Sequence, residues 1–153
     1  MRTLRLPQLP EMRCDRGCGD CCGPIAVPPE EYARVAAVVK ARKIVPLRQG
    51  ITCPLFIDGT CSVYEARPTI CRLFGHSPKV LCSRGYNVNT DEATERVYAK
   101  ALARGGTANA RSLHELVYTG EEFEVIWKEY LNDPTPPPSP APALGDAATG
   151  ATQ

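Results

Sequence analysis

The sequence predicts a small, mainly α-helical or irregular domain followed by a disordered C-terminal tail. Eight cysteines fall within the first 82 of the 153 residues, helical periodicity follows in several segments, and proline and alanine dominate after Asn132. Four of the cysteines lie in one nine-residue run, Cys14, Cys18, Cys21 and Cys22. Zinc and iron require several thiolates converging at about 2.3 Å from the metal. We therefore expect the domain to be organised around a cysteine-rich metal site.

The redox compartment decides how these cysteines are interpreted. Residues 1–10 lack the uninterrupted apolar stretch and small-residue cleavage site of a secretory signal, which favours a cytoplasmic protein. Disulfides do not persist in a reducing cytosol, so spacings of this kind indicate metal ligands or catalytic thiols. Metal ligation is the preferred interpretation, and redox pairs or inert buried thiols are the alternatives.

Composition limits the partners. The chain has 18 basic and 17 acidic residues and a formal net charge of +1, so it lacks the basic excess typical of nucleic-acid binding. It also lacks a continuous apolar stretch long enough to cross a bilayer. We expect a soluble protein that binds neither nucleic acid nor membrane.

Two helices are predicted from periodicity and end residues. Pro28 and Pro29 precede two glutamates, and apolar residues then recur at helical spacing, which predicts a helix over residues 29–42. A second helix is predicted over residues 91–104, where Gly105-Gly106 ends it.

A third helix is predicted after Thr119, which forms a capping-box pattern with Glu122. Its aromatic and aliphatic stripe is expected to be core, and Asn132 and Pro134 end it. The stripe consists of Phe123, Ile126, Trp127 and Tyr130.

These elements predict three parts. Residues 13–85 form the cysteine-cluster core, residues 86–132 a helical part packed on the same domain, and residues 133–153 a disordered proline- and alanine-rich tail. Strand patterns are short, around residues 25–27 and Val63.

The second cysteine block spans residues 53–74. Asp58-Gly59 is typical of a turn that folds Cys53 back toward Cys61, and Pro68 can open a short helix carrying Cys71. Cys82 follows in a loop and completes the eight thiols. Eight thiols allow two four-thiolate sites, or one cluster with additional thiols. Neighbouring side chains point in different directions, so Cys21 and Cys22 are not expected to bind one metal ion together. Either they serve two sites, or one of them is not a ligand.

Over residues 13–85 the sequence resembles the YkgJ-type cysteine-cluster family of zinc- or iron-chelating proteins. The first run has the spacing C-x3-C-x2-C-C, and the second motif is complete. It comprises Cys53, Pro54, Leu55, Gly59, Cys61, Tyr64, Glu65, Arg67, Pro68, Cys71 and Arg72. A related run in flagellin lysine-N-methylases is associated with an iron-sulfur cluster, so the resemblance favours iron-sulfur over zinc. The methylase activity is not implied, because the chain shows no glycine-rich cofactor loop after a strand.

Arg67 and Arg72 are predicted to contact the metal group. Thiolates around zinc or iron leave a net negative charge, which nearby guanidinium groups offset while donating hydrogen bonds to sulfur. A plain ion pair of either arginine with Glu65 is the alternative. Of the two histidines, His76 is a lesser candidate ligand, and His114 is expected to be structural.

The prediction is therefore a metal-binding protein that chelates iron, as an iron-sulfur cluster, or zinc through all eight cysteines. No nucleophile elbow, phosphate loop or paired-carboxylate pattern accompanies them, so whether the chain is an enzyme is left open. Three classes are compatible with the sequence: a binding module that presents its helices to a protein partner, an iron-sulfur or metal-dependent enzyme of the protein-modification type, and a thiol redox switch.

Overall fold

A computed structural model of the chain describes residues 18–88, 90–105 and 109–132. Cys14 and the predicted tail, residues 133–153, lie outside the described residues. The described part contains helices, one hairpin and two short 3₁₀ segments. These are α1 (Pro29–Ala41), β1 (Phe56–Ile57), β2 (Thr60–Cys61), a 3₁₀ segment (Tyr64–Ala66), α2 (Thr69–Leu73), α3 (Glu92–Gly105), a 3₁₀ segment (Leu113–Leu116) and α4 (Gly120–Asn132).

The three longer helices confirm the predicted ones. The first begins at Pro29, where proline fits because the first helical N–H groups have no intrahelical partner. The second is capped by Asp91, whose carboxylate accepts a hydrogen bond from the Thr94 N–H at 2.8 Å. The third has the predicted capping box, in which Thr119 and Glu122 exchange hydrogen bonds of 2.8 and 3.2 Å.

The hairpin forms at the predicted turn. Asp58 and Gly59 have φ values of 51° and 73°, the pair of left-handed conformations that a type I′ turn needs. The turn pairs Phe56 with Cys61 and Ile57 with Thr60 in antiparallel register.

Of the two strands predicted outside the hairpin, the one at Val63 is wrong, and the one at residues 25–27 is reduced to a single β-bridge. Val63 lies in no strand, because the chain enters a 3₁₀ turn in which the Ala66 N–H donates to the Val63 carbonyl at 2.8 Å. Val27 forms only an isolated bridge to Arg111.

Two groups of buried residues hold these elements. The first packs α1 against the hairpin region and the second 3₁₀ segment, through Val35, Val39, Cys53, Leu55, Val63 and Leu113. The second packs α2 against α3 through Leu73, Tyr98 and Ala101. Within the described ranges, none of the helices is both long and apolar enough to span a membrane.

The prediction that the α4 stripe is core is wrong. No residue of α4 is buried, and Trp127 is 38% exposed. The helix contacts the second 3₁₀ segment, where the ring centroids of Phe123 and His114 lie 4.6 Å apart. Helical periodicity identifies an apolar face but not whether another element covers it.

Candidate metal centre

Six cysteines line one cavity of about 70 Å³ between the first cysteine loop, the hairpin and α2. They are Cys18, Cys21, Cys22, Cys53, Cys61 and Cys71. The two sequence blocks, about 30 residues apart, thus meet at one place. Of the other two predicted ligands, Cys14 lies outside the described residues and Cys82 is not among the lining residues.

The first cysteine loop turns at Gly19 and is anchored to the second block. Gly19 has φ of 64°, and a Cβ there would lie 2.7 Å from the Phe56 ring. The Cys22 N–H donates to the Gly19 carbonyl at 2.8 Å, and the Cys53 N–H donates to the Cys22 carbonyl at 2.8 Å. The close approach of Gly19 to Phe56 and these two hydrogen bonds place the first cysteine loop next to Cys53.

The loop before the hairpin is fixed by a side chain that the sequence interpretation missed. The Gln49 amide Nε2 donates to the carbonyls of Cys53 and Phe56, at 2.7 and 2.9 Å. Gln49 thus satisfies backbone acceptors of the tight segment that presents Cys53. No local pattern indicated this role, because a glutamine before a loop has many possible partners.

A second missed residue, Glu31, anchors the helix that carries Cys71. Its carboxylate accepts hydrogen bonds from the Thr69 N–H, at 3.0 Å, and from the Thr69 hydroxyl. Thr69 opens α2, so a carboxylate from α1 satisfies its free N–H group. The distance of 38 residues between the partners explains why a local pattern did not reveal it.

The three thiols of the second block have raised pKa values. Burial raises the pKa of Cys53 to about 11, and burial likewise raises the pKa of Cys61 and of Cys71. Neighbouring thiolates add to each rise, which reflects how close these sulfurs lie to one another. A bound cation favours the thiolate forms and displaces their protons.

Cys21 and Cys22 behave as a pair. A hydrogen bond from the Cys22 thiol lowers the pKa of Cys21 to about 7, and donating that bond raises the pKa of Cys22. The two neighbouring thiols both line the cavity, although the sequence suggested that they point to different places.

Among the described residues that line the cavity, Arg67 alone carries a positive charge. Its guanidinium lies over the Tyr64 ring at 3.7 Å from the centroid, and its Nε donates to the Tyr64 carbonyl at 3.0 Å. Its charge opposes the increases in pKa that burial causes at Cys61 and Cys71. Arg72 is exposed on α2 and is not a lining residue.

Cys82 lies in a turn tied to the first cysteine loop. Its N–H donates to the Asn87 side chain at 2.8 Å. The next two residues, Ser83 and Arg84, both donate to the Asp20 carboxylate, at 3.0 and 3.2 Å. Because Asp20 directly precedes Cys21, these two hydrogen bonds hold the turn beside the first cysteine loop. Cys82 itself is not among the residues that line the cavity.

Neither histidine lines the cavity. His76 is buried after α2. His114 is fully buried, and its Nε2 donates to the Ile51 carbonyl at 3.0 Å, which agrees with its expected structural role.

The donor set suits a soft cation. Several thiols converge on one buried space, which is the chemistry that zinc and iron select. Within the described ranges, no three cysteine, histidine or acidic side chains already lie close enough together to hold a metal ion.

Fold and cavity together define a small helical domain built around a cysteine cluster. Residues 13–102 match the CxxCxxCC family, described as a "putative zinc- or iron-chelating domain". Since the match covers more than half of the chain, the chain belongs to this family, and the resemblance drawn from its motifs is confirmed. No curated protein and no solved structure matches the chain.

Proposed function

We propose that the chain chelates iron as an iron-sulfur cluster held by the cysteines of this cavity, with zinc as the alternative metal. The observation that carries the proposal is the convergence of six thiols on one space beside a single guanidinium. A zinc- or iron-chelating family supports metal binding in general, and the finer assignment rests on the arguments that follow.

The size of the cavity supports a cluster. Its volume of about 70 Å³ is several times the ~10–15 Å³ that one water molecule needs in the same measure. A single zinc ion with four thiolates leaves little empty space, whereas a cluster adds inorganic sulfide and further metal ions. Six lining thiols exceed the four that either one tetrahedral zinc or one cluster takes, so their number alone does not choose between the two.

We infer that Cys53, Cys61 and Cys71 supply three ligands and that Cys21 or Cys22 supplies the fourth. The hydrogen bond to Cys21 raises the pKa of Cys22 and burial raises the pKa of Cys71, and charge on neighbouring thiols among these adds to both rises, so the sulfurs lie near one another. Cys18 lines the same space and is the reserve candidate. Cys14 and Cys82, which the sequence also predicts as ligands, are not among these four.

Arg67 is assigned the role of offsetting the negative charge of the thiolate-bound metal. Its stacking on Tyr64 and its hydrogen bond to the Tyr64 carbonyl hold the guanidinium against the cavity. A fixed cation beside sulfur stabilises the more reduced, more negative state of a cluster. Arg72 stays a candidate for the same role from the surface of α2.

We propose that the chain is a cytoplasmic binding module. It would use its helices to contact a protein partner and would bind neither nucleic acid nor membrane. The balanced charge and the partly exposed apolar residues of α4 support this. A bound cluster would supply one-electron transfer, and we assign no reaction to the chain.

The test is metal and sulfide analysis of protein purified without oxygen, together with its visible absorption spectrum. We expect iron, acid-labile sulfide and a broad visible band, all lost in Cys71→Ser. The matched control is Cys82→Ser, which removes a cysteine that does not line the cavity and should keep most of the metal. Colourless protein with zinc would favour the alternative metal. Metal-free protein would contradict chelation and favour the thiol redox switch.

A further inference from the structure

The turn over residues 82–87, which we call the strap, is closed by hydrogen bonds of its own. The Cys82 N–H donates to the Asn87 side-chain oxygen at 2.8 Å, and the Gly85 N–H donates to the Cys82 carbonyl at 3.0 Å. Gly85 has φ of 80°, a conformation that glycine adopts without steric cost. These bonds fix the shape of the strap independently of what its tip contacts.

Both ends of the strap are attached to the part of the fold that supplies Cys71. Before the strap, the Val80 carbonyl accepts a hydrogen bond from the Gly75 N–H at 2.8 Å. After it, the Val88 N–H donates to the Gly75 carbonyl at 2.7 Å. Gly75 follows closely on α2, the helix that carries Cys71. The base of the strap is therefore attached to the second cysteine block.

The tip of the strap binds the first cysteine loop. The Ser83 hydroxyl and the Arg84 Nε both donate to the same oxygen of the Asp20 carboxylate, at 3.0 and 3.2 Å. Asp20 directly precedes Cys21, which lines the cysteine cavity. The same loop also meets the hairpin through Gly19. Two separate parts of the chain, the hairpin and the strap, therefore hold this loop.

The two attachments differ in exposure. Toward the hairpin, the Cys22 carbonyl accepts a hydrogen bond from the N–H of Cys53, a buried residue. In the strap, the paired side chains of Arg84 and Asp20 are 37% and 30% exposed. An exposed ion pair shifts a conformational equilibrium by only about twofold to fivefold, because water and salt compete for both charges. The strap is therefore the attachment that opens at the smaller cost.

We propose that the strap limits how often the first cysteine loop separates from the second block, and thereby how fast a metal enters or leaves the cavity. A metal held by thiols of both blocks leaves only when the two blocks separate. The effect on metal passage rests on the chelation proposed above, whereas the effect on loop opening does not. Asp20 and Arg84 are positioning residues in this proposal, since neither lines the cavity.

The test variants are Asp20→Ala, Arg84→Met and the two combined, all in the full chain. The matched control is Glu124→Ala, which removes the exposed ion pair with Lys128 on α4. Hydrogen exchange of the backbone amides in residues 18–23 measures loop opening, and metal release to excess EDTA measures metal passage. All proteins are compared at equal metal content and equal helix content.

We expect each single change to speed both amide exchange and metal release by about twofold to fivefold. The combined variant should be no faster than the faster single variant, because both changes remove the same contact. The control should match the unmodified protein. Raising the ionic strength to about 1 M should speed loop exchange in the unmodified protein but not in Arg84→Met, since salt screens a pair that this variant lacks.

A carboxylate beside Cys21 also acts on that thiol through its charge, and this account predicts a different result. If the charges of Asp20 and Arg84 acted separately, their removal would have opposite effects, because their signs are opposite. Opposite effects would overturn the proposal, as would unchanged loop exchange in both single variants. Faster loop exchange with unchanged metal release would overturn the control of metal passage. Protein purified without metal would refute the proposed chelation, and loop exchange would still decide whether the strap holds the loop.

Discussion

Around the cysteine cavity, segments far apart in the sequence are joined by buried side chains and hydrogen bonds, whereas α4 contacts the described chain mainly through residues 113–116. Glu31 reaches Thr69 across 38 residues, and Gln49 holds the backbone on both sides of the hairpin entrance. The long-range hydrogen bond to an α4 side chain, from Arg48 to Glu122 at 3.0 Å, is exposed, and none of the described α4 residues is buried. The cavity region is built to hold its thiols in place, while α4 presents a surface.

Removal of the metal is expected to have the largest effect and to affect the two regions differently. Structural metal sites contribute on the order of 10 kcal/mol of apparent binding free energy, comparable to the stability of a whole small domain. We therefore predict that stripping the metal unfolds residues 13–85. Hydrogen exchange of loaded and stripped protein measures this, with loss of protection in α1 and α2 expected. A stripped protein that keeps a full cooperative melt would contradict it.

Two leucine truncations compare the packing of the regions directly. Leu73 is fully buried between α2 and α3, and Leu131 is 58% exposed on α4. We predict that Leu73→Ala lowers the free energy of unfolding by about 2–5 kcal/mol, because it leaves a cavity in the core. Leu131→Ala should change it by less than about 0.5 kcal/mol. Denaturant unfolding at equal metal content measures both, and similar losses would show that α4 is packed as tightly as α2.

Gly19→Ala tests how the first cysteine loop is held. An alanine there would adopt a left-handed φ of 64° and approach the Phe56 ring. The backbone conformation alone costs about 1–2 kcal/mol for a residue with a Cβ. The control is Gly23→Ala, whose Cβ would meet nothing nearer than a carbonyl oxygen at 4.0 Å. We expect reduced stability and metal content in the Gly19 variant alone, and equal behaviour of the two variants would argue against a tightly fixed loop.

The smallest predicted effect is a pH dependence that arises at His114. Burial lowers its pKa below the ordinary value of 6.5, so the folded chain binds its proton less readily than the unfolded chain does. Stability is unaffected above pH 6.5 and falls as the pH drops below it, until the folded pKa is reached. His114→Gln, which keeps a donor for the Ile51 carbonyl, should reduce this slope. Identical slopes of stability against pH, from 7 down to 5, would rule out His114 as its source.

Local rules predicted much of this fold. The turn at Asp58-Gly59 and the ends of the long helices depend on neighbouring residues, so sequence spacing was sufficient. The turn at Asp58-Gly59 and the short helix α2 were likewise expected to return Cys61 and Cys71 toward Cys53, and all three line the cavity.

Contacts between distant residues were not predictable in this way. Glu31 and Gln49 are ordinary polar residues whose partners emerge only from packing. The same reason explains the error at Trp127, since a helical apolar stripe does not reveal whether another element covers it. Cys82 was grouped with the ligands by count, yet its turn adjoins the first loop without placing it on the cavity wall.

The most direct test of the central claim is X-ray absorption at the metal edge of protein purified without oxygen. Chelation by the cavity cysteines predicts a first shell made of sulfur at about 2.3 Å, since thiolates bind zinc and iron at that distance. A cluster would add a metal-to-metal distance beyond this shell. A first shell of oxygen or nitrogen would contradict the claim, because no histidine or carboxylate is among the residues described around the cavity.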